Sequence, residues 1–157
     1  MKKGILAVSF GTSHIDTMEK TIDVLEKEFA KTFEEAVVYR AFTSNMIIKK
    51  LKRTANIKVQ TVGEALEKMA ADGIEEVIVQ PTHVINGIEN DRMLQEVMEH
   101  MHLFRKVYVG KPLLSSVEDY KKAIHAVMEK TVIGEDEMLV LMGHGTDHHA
   151  NSAYPTL

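Results

Sequence analysis

Short apolar runs alternate along the chain with longer stretches in which apolar residues recur every three or four positions. The runs predict strands over residues 4–10, 36–41, 77–79 (within the stretch 76–84), 106–110 and 138–142. The helical spacing predicts helices over residues 17–31, 45–53, 62–72, 89–102 and 117–130. Strands that alternate with helices are typical of an α/β protein, so we expect a parallel sheet of four to five strands with helices on both faces.

Polar residues at the ends of these patterns predict where helices begin and end. Ser44 or Asn45, Thr61 and Ser116 each precede a helical stretch. Side chains of these types accept hydrogen bonds from the free N–H groups of a helix start. Gly73 follows the helix over residues 62–72 and is the residue type that ends helices.

The turns that follow the predicted strands are rich in serine, threonine and glycine. Because the carboxyl ends of parallel strands gather at one edge of a sheet, these turns are expected to meet there. Each turn opens a helix, and helix N-termini carry free N–H groups and partial positive charge. We therefore expect a cleft for a ligand with many carboxylates or phosphates, lined by residues 9–13, 43–44, 82–87, 114–116 and 143–146.

The stretch over residues 138–149 places a histidine at the end of an apolar run. Within it, His144 lies between Gly143 and Gly145. A buried strand followed by a glycine turn delivers this imidazole to a strand–helix corner, where open α/β sheets bind ligands. The flanking glycines remove side-chain bulk, so a large ligand can approach the ring closely.

Residues 5–14 repeat the pattern of residues 139–148 without a gap. Four apolar positions align with four apolar positions, then Gly-Thr with Gly-Thr and His14 with His148, while Phe10 takes the place of His144. One interpretation is chance similarity of two strand–turn units. The other is a duplicated α/β unit, with a first domain over residues 1–134 and the first strand and helix start of a second, incomplete domain over residues 135–157. In that case the polypeptide is a fragment, or another chain supplies the second half.

The composition narrows the class of protein. The 157 residues are 45% hydrophobic, which is enough for one domain with a sizeable core. The net charge of −4 and the single short basic stretch, residues 49–53, argue against nucleic acid as the main partner. Cysteine is absent, so disulfides and thiolate metal sites are excluded.

The hydropathy of the chain and its N-terminal residues predict where in the cell the protein is found. No stretch approaches the ~20 apolar residues of a membrane span, so no membrane partner is expected. The apolar run after Met1 resembles the beginning of a signal peptide, but it is short and leads into a turn and a polar helix. We therefore interpret it as the first strand and expect a cytoplasmic protein.

The signatures of several enzyme classes are missing. Walker A, GxSxG and HExxH motifs are absent, and Gly11 stands alone without a GxGxxG pattern. A nucleotide- or phosphate-binding domain that uses the Gly11 turn is therefore a weaker alternative. Ser9 and Ser13 flank this glycine, but the sequence indicates no oriented base that would activate either as a nucleophile.

The histidines other than His144, and the residues that begin the helix after residue 88, each have two interpretations. His83 follows a predicted strand and is either a cleft residue or a hydrogen-bonded core histidine. Glu89, Asn90 and Asp91 begin a helix, where the dipole alone favours acidic residues, and their second interpretation is to guide a metal cation toward the cleft. His148 and His149 either face the cleft or have a structural role. The histidines expected at the surface or at helix ends are His14, His100, His102 and His125.

Five segments, taken together, carry a resemblance to a known family. In chain order they are Val-Ser-Phe-Gly-Thr-Ser at 8–13, Arg-Ala-Phe-Thr-Ser at 40–44 with Met-Ile-Ile at 46–48, His-Val-Ile-Asn-Gly at 83–87, Pro-Leu-Leu-Ser-Ser at 112–116, and Met-Gly-His-Gly at 142–145 with His-His-Ala at 148–150. The sequence resembles the anaerobic sirohydrochlorin cobaltochelatases of the CbiK type. These belong to the class II chelatase superfamily, which includes ferrochelatase.

The resemblance implies a chelatase-like fold of two similar α/β halves with a tetrapyrrole in the cleft between them. It implies insertion of Co²⁺ into sirohydrochlorin or precorrin-2 in anaerobic cobalamin biosynthesis, with Co²⁺ as substrate metal and no tightly bound cofactor. It also implies that His144 is a metal ligand and proton acceptor. The family's other metal-site residues, a glutamate and a histidine, belong to the second half.

The chemistry of the residues agrees with such a reaction. Metal insertion removes two pyrrole N–H protons, and a neutral imidazole binds Co²⁺, as it does Fe²⁺ and Ni²⁺, and accepts a proton near pH 7. We assign His144 as the catalytic residue and a metal ligand, with Glu89 as the second metal candidate. The residues expected to contact the tetrapyrrole are Ser9, Phe10, Gly11, Thr12, Ser13, His83, Ser115, Ser116, Gly143 and Gly145.

A second class of function stays open. The chain is alternatively a half-chelatase module that binds a tetrapyrrole or a metal without catalysis, or one that acts only as a homo-oligomer. The mass in solution and the insertion activity distinguish these alternatives.

Overall fold

The computed structural model describes residues 1–156 and contains one parallel sheet. Its strands are β1 (Lys3–Ser9), β2 (Ala36–Phe42), β3 (Glu76–Pro81) and β4 (Lys106–Val109), and their order is β2-β1-β3-β4. All three pairings are parallel. The predicted parallel sheet is therefore confirmed, with four strands and with β1 and β3 in the centre.

The helices follow the strands in the predicted order. They are α1 (Ile15–Lys20), α2 (Ile22–Thr32), α3 (Asn45–Ala55), α4 (Val62–Ala71), α5 (Ile88–His100), α6 (Val117–Lys130) and the short α7 (Ala153–Thr156). Single 3₁₀ turns cover Met101–Leu103 and His149–Ser152. The predicted caps are confirmed: Ser44 accepts from the Ile47 N–H at 3.4 Å, Thr61 forms a capping box with Glu64, and Ser116 accepts from the Asp119 N–H at 3.2 Å.

Side chains on the two faces of the sheet pack into separate cores. On one face, residues of β1 and β3 pack against α4 and α5, with Leu6, Val79, Leu66 and Met93 fully buried. On the other face, Phe42 packs in a cluster with buried apolar residues of α1, α2 and α3. Helices on both faces of the sheet are thus confirmed, and the alternation of side chains along each strand is the cause.

The helix predicted over residues 17–31 is divided in two. Thr21 has backbone angles of φ −127° and ψ −77°, which separate α1 from α2. Its hydroxyl donates to the Thr17 carbonyl at 2.6 Å, a local bond that competes with the helical pattern. The break could not be predicted from the spacing of apolar residues, because Met18 and Ile22, on either side of it, still pack in the same core.

The fifth strand predicted over residues 138–142 is wrong. These residues form no strand in the described part of the chain, and Val140 and Met142 are 75% and 95% exposed rather than buried. A strand exists only when a neighbouring backbone pairs with it, and none of the four strands of the sheet does so. The assignment of residues 135–157 to a second domain stays a prediction, and Leu157 lies outside the described residues.

Across residues 1–156, none of the helices combines the length and the hydropathy needed to cross a bilayer.

Candidate functional site

A cleft with a volume of about 710 Å³ lies at the carboxyl edge of the sheet. It is bounded by the turn after β1, the segment from β3 into α5, and the residues around His144. Three of the five turns that were expected to line one cleft therefore do so. The predicted site residues that line it are Ser9, Phe10, Gly11, Thr12, His83, Glu89, His144 and Gly145.

The remaining predicted site residues do not line this cleft. Ser115 donates to the Pro112 carbonyl at 2.7 Å, and Ser116 caps α6. Ser13 belongs to the turn after β1 and Gly143 to the His144 segment, but neither contributes to the wall. The helix over residues 117–130 was correctly predicted, yet its N-terminus does not reach the cleft.

The orientation of the His144 ring defines which nitrogen is free. Its Nδ1 lies 2.9 Å from the carbonyl oxygen of Gly145, and a carbonyl can only accept. The neutral ring therefore carries its proton on Nδ1 and has an unshared electron pair on Nε2. The side chain is exposed at the cleft. This nitrogen is accordingly available to a metal ion or a proton.

The glycines beside His144 have backbone and packing roles. A Cβ atom on Gly143 would lie 2.6 Å from the ring of Tyr154, and Gly145 has φ +76°, which L side chains rarely adopt. Tyr154 also lines the cleft. Sequence reasoning missed this tyrosine, because its only signal was an aromatic residue ten positions after His144.

Three side chains at the start of α5 and after the end of β3 carry buried polar atoms without a partner among the described residues. Both ring nitrogens of His83, Oε2 of Glu89 and Oδ1 of Asn90 are buried without a hydrogen bond among the described residues. The hydrogen-bonded core histidine considered for His83 is therefore wrong. Unsatisfied buried polar atoms are rare in folded proteins, and those of His83, Glu89 and Asn90 all belong to residues that line the cleft. Asn90, like Glu89, belongs to the helix start that the sequence connects with a metal cation, and that role stays a prediction.

Burial and charge act in opposite directions on His83. Desolvation lowers the pKa of its imidazole, and the nearby carboxylate of Glu89 partly offsets this by raising it. The net lowering keeps the ring neutral at pH 7, with an electron pair available. Arg92, also missed in the sequence, donates to the other oxygen of Glu89 at 2.8 Å and holds that carboxylate at the cleft.

A complete metal site is not assembled by residues 1–156. These residues contain no group of three or more His, Cys, Asp or Glu side chains arranged to hold a metal ion. His144 and Glu89 both line the cleft.

Residues 3–157 match the family model of the cobalt chelatase CbiK. The chain belongs to the CbiK family. This CbiK-family chain is 42% identical over its whole length to the sirohydrochlorin cobaltochelatase of Salmonella typhimurium, and 34% identical over 99% of its length to the sirohydrochlorin cobaltochelatase CbiKC of Nitratidesulfovibrio vulgaris. It spans 60% and 56% of the length of these two relatives.

The fold of this CbiK-family chain also resembles a solved structure. A cobalamin biosynthesis CbiX protein of Marinobacter aquaeolei aligns with a TM-score of 0.53 and 15% identity, over 83% of this chain and 94% of that one. The likeness concerns the fold alone, and it agrees with the chelatase-like α/β architecture predicted from the sequence.

Proposed function

We propose that this chain binds a carboxylate-rich tetrapyrrole and a divalent metal at the carboxyl edge of its sheet, as part of a cobaltochelatase that inserts Co²⁺ into sirohydrochlorin or precorrin-2. The observation that carries the proposal is the free Nε2 of His144 at a cleft that also holds unpartnered atoms of His83 and Glu89. Co²⁺ enters as a substrate, and no resident cofactor is required. The cytoplasmic location expected from the sequence stays a prediction.

The proposed reaction exchanges one metal ion for two protons. Nε2 of His144 binds the metal before transfer, because a neutral imidazole is a good ligand for Co²⁺. When the metal moves into the macrocycle, the electron pair on Nε2 is released and accepts one pyrrole N–H proton. His83, whose lowered pKa keeps it neutral, is the second base available for the other proton. Both protons then pass to solvent, and charge is balanced.

The substrate carboxylates require a positively polarised surface. The N-terminus of α5 is at the cleft, where residues from Gly87 to Asn90 form part of the wall. No side chain caps this helix start, so its first N–H groups remain available to an anion. This arrangement allows a chain of net charge −4 to hold a polyanionic ring.

Replacement of His144 with alanine tests the proposal. Co²⁺ insertion, followed by the absorbance change of sirohydrochlorin, is expected to be lost in His144→Ala while the unfolding transition is unchanged. His125→Ala is the matched control, because His125 is a solvent-exposed histidine on α6. Undiminished insertion by His144→Ala would overturn the assigned role.

A second candidate function is supported by the incomplete metal site and by the exposed segment 138–142. Here the chain binds the tetrapyrrole or the metal without inserting it, or inserts it only as a homo-oligomer. The mass from light scattering, combined with the insertion assay, distinguishes the candidates. An active dimer would support a site completed by a second copy of the chain. An inactive monomer that still binds sirohydrochlorin would support a binding module. Tight binding of ATP instead of sirohydrochlorin would favour the phosphate-binding alternative.

A further inference from the structure

His148 connects the segment that carries His144 to the helix that carries Glu89. Its Nε2 lies 3.1 Å from Oδ2 of Asp91, in the first turn of α5. Its Nδ1 accepts from the N–H of Ala150 at 3.1 Å. A backbone N–H can only donate, so the proton of the neutral ring is on Nε2 and is donated to Asp91. Both ring nitrogens are therefore occupied, and His148 is not free to bind a metal.

The contact joins residues 143–156 to the part of the chain that forms the sheet and its helices. Within residues 1–156, the His148–Asp91 hydrogen bond is the one side-chain polar contact that links residues 143–156 to the sheet and its helices. The side chain of His148 is only 13% exposed, whereas that of Asp91 is 60% exposed. The other hydrogen bonds of the segment, including those of Thr146 with Asn151 and His148, are internal to it.

The positions of the two residues relate this contact to the site. Asp91 follows Glu89 by two residues in the same helical turn, and His148 follows His144 by four residues through the Gly145 turn. A shift of His148 relative to Asp91 therefore changes the separation of Nε2 of His144 from Glu89 and His83. Both of these are held at the cleft by the sheet and α5.

We propose that His148 and Asp91 act as positioning residues, which hold the His144 imidazole at the cleft in the orientation needed for metal transfer. The inference rests on the proposed function, and it assigns no contact of either residue with the metal or the macrocycle. A displacement of about 1 Å at a reacting group costs up to ~100-fold in rate, so loss of the contact is expected to lower kcat.

Two substitutions of His148 separate its two hydrogen bonds. The oxygen of Asn in His148→Asn can replace Nδ1 and accept from Ala150, but the shorter side chain does not reach Asp91. The amide N–H of Gln in His148→Gln can replace Nε2 and donate to Asp91. We expect His148→Asn and Asp91→Ala to lower kcat for Co²⁺ insertion about tenfold, with little change in the KM for sirohydrochlorin, and His148→Gln to restore most of the loss. Glu118→Ala, an exposed acid in the first turn of α6, is the control.

Amide hydrogen exchange tests the His148–Asp91 contact independently of catalytic activity. Exchange at residues 143–147 is expected to rise about fivefold in Asp91→Ala, because the variant removes the side-chain hydrogen bond that links the segment to α5, and to be unchanged in Glu118→Ala. The double variant His148→Asn/Asp91→Ala is expected to be no worse than either single variant. Wild-type exchange and kcat in Asp91→Ala would overturn this proposal alone, whereas undiminished insertion by His144→Ala would overturn the proposed function itself.

Discussion

The hydroxyl groups of Ser9 and Thr82 lie 2.8 Å apart and join the carboxyl ends of β1 and β3 beneath the cleft. Ser9 is 3% exposed, so its hydroxyl is committed to this bond at the floor of the site. The two central strands are thereby held together at the edge where the turn after β1 and the start of α5 line the cleft.

Ser9→Ala is expected to destabilise the fold by about 1 kcal/mol, because it leaves the partly buried Thr82 hydroxyl without its partner. Urea unfolding followed by circular dichroism gives the difference. Ser13→Ala, in the adjacent turn, is the control and is expected to change stability by less than ~0.5 kcal/mol. Equal effects of the two substitutions would contradict the role of the Ser9–Thr82 pair.

Gly11→Ala is expected to destabilise the protein by more than ~2 kcal/mol, since it combines backbone strain with a clash. Gly11 has φ +101°, and a Cβ atom there would lie 2.4 Å from the ring of the fully buried Phe42. Gly73→Ala separates the two causes, because Gly73 has φ +78° but open space around the Cβ position. Thermal unfolding is expected to show the larger loss for Gly11→Ala.

The titration of His83 is expected to shift when Glu89 is neutralised. Burial holds the pKa of His83 below its usual value, and the Glu89 carboxylate raises it in part. Glu89→Gln therefore lowers the pKa of His83 further, which NMR of the imidazole Hε1 measures. An unchanged or raised value would contradict the pKa-raising effect of the Glu89 carboxylate on His83.

The same pKa has a consequence for stability. The folded pKa of His83 lies below the ~6.5 of the unfolded chain, so the unfolded state binds the proton first as pH falls. The free energy of unfolding is thus expected to decrease from about pH 7 downward through that range. His83→Gln is expected to reduce this dependence in urea unfolding at pH 7 and pH 5, compared with His125→Gln as a surface control.

The apolar segment 138–142 is expected to cause association of the isolated chain. Its side chains are from 36% to 95% exposed, and contiguous exposed apolar surface favours contact with other molecules. Val140→Lys is expected to lower the mass measured by light scattering at high protein concentration. A monomer at all concentrations in the unsubstituted chain would contradict this prediction.

The sequence by itself determined the α/β architecture, and it predicted that His144 lies at the cleft, where the structure places it. Apolar runs and helical spacing predicted five strands and their helices, and four of these strands form the sheet. They could be predicted because burial on a two-faced sheet requires those periods. Capping residues predicted the starts of α3, α4 and α6, because the hydrogen bonds involved are local. The resemblance in five short segments predicted the CbiK family, which the family model and the relatives confirm.

Only the tertiary structure decided which turns meet and which polar atoms are free. The turn after β1 reaches the start of α5 because β1 and β3 are neighbours in the sheet, whereas Ser115 and Ser116 lie outside the cleft. Residues 138–142 have strand-like composition but no backbone to pair with among residues 1–156. Strand pairing, side-chain burial and the His148–Asp91 contact each involve residues that are far apart in the chain. Local sequence patterns do not predict which distant residues come together.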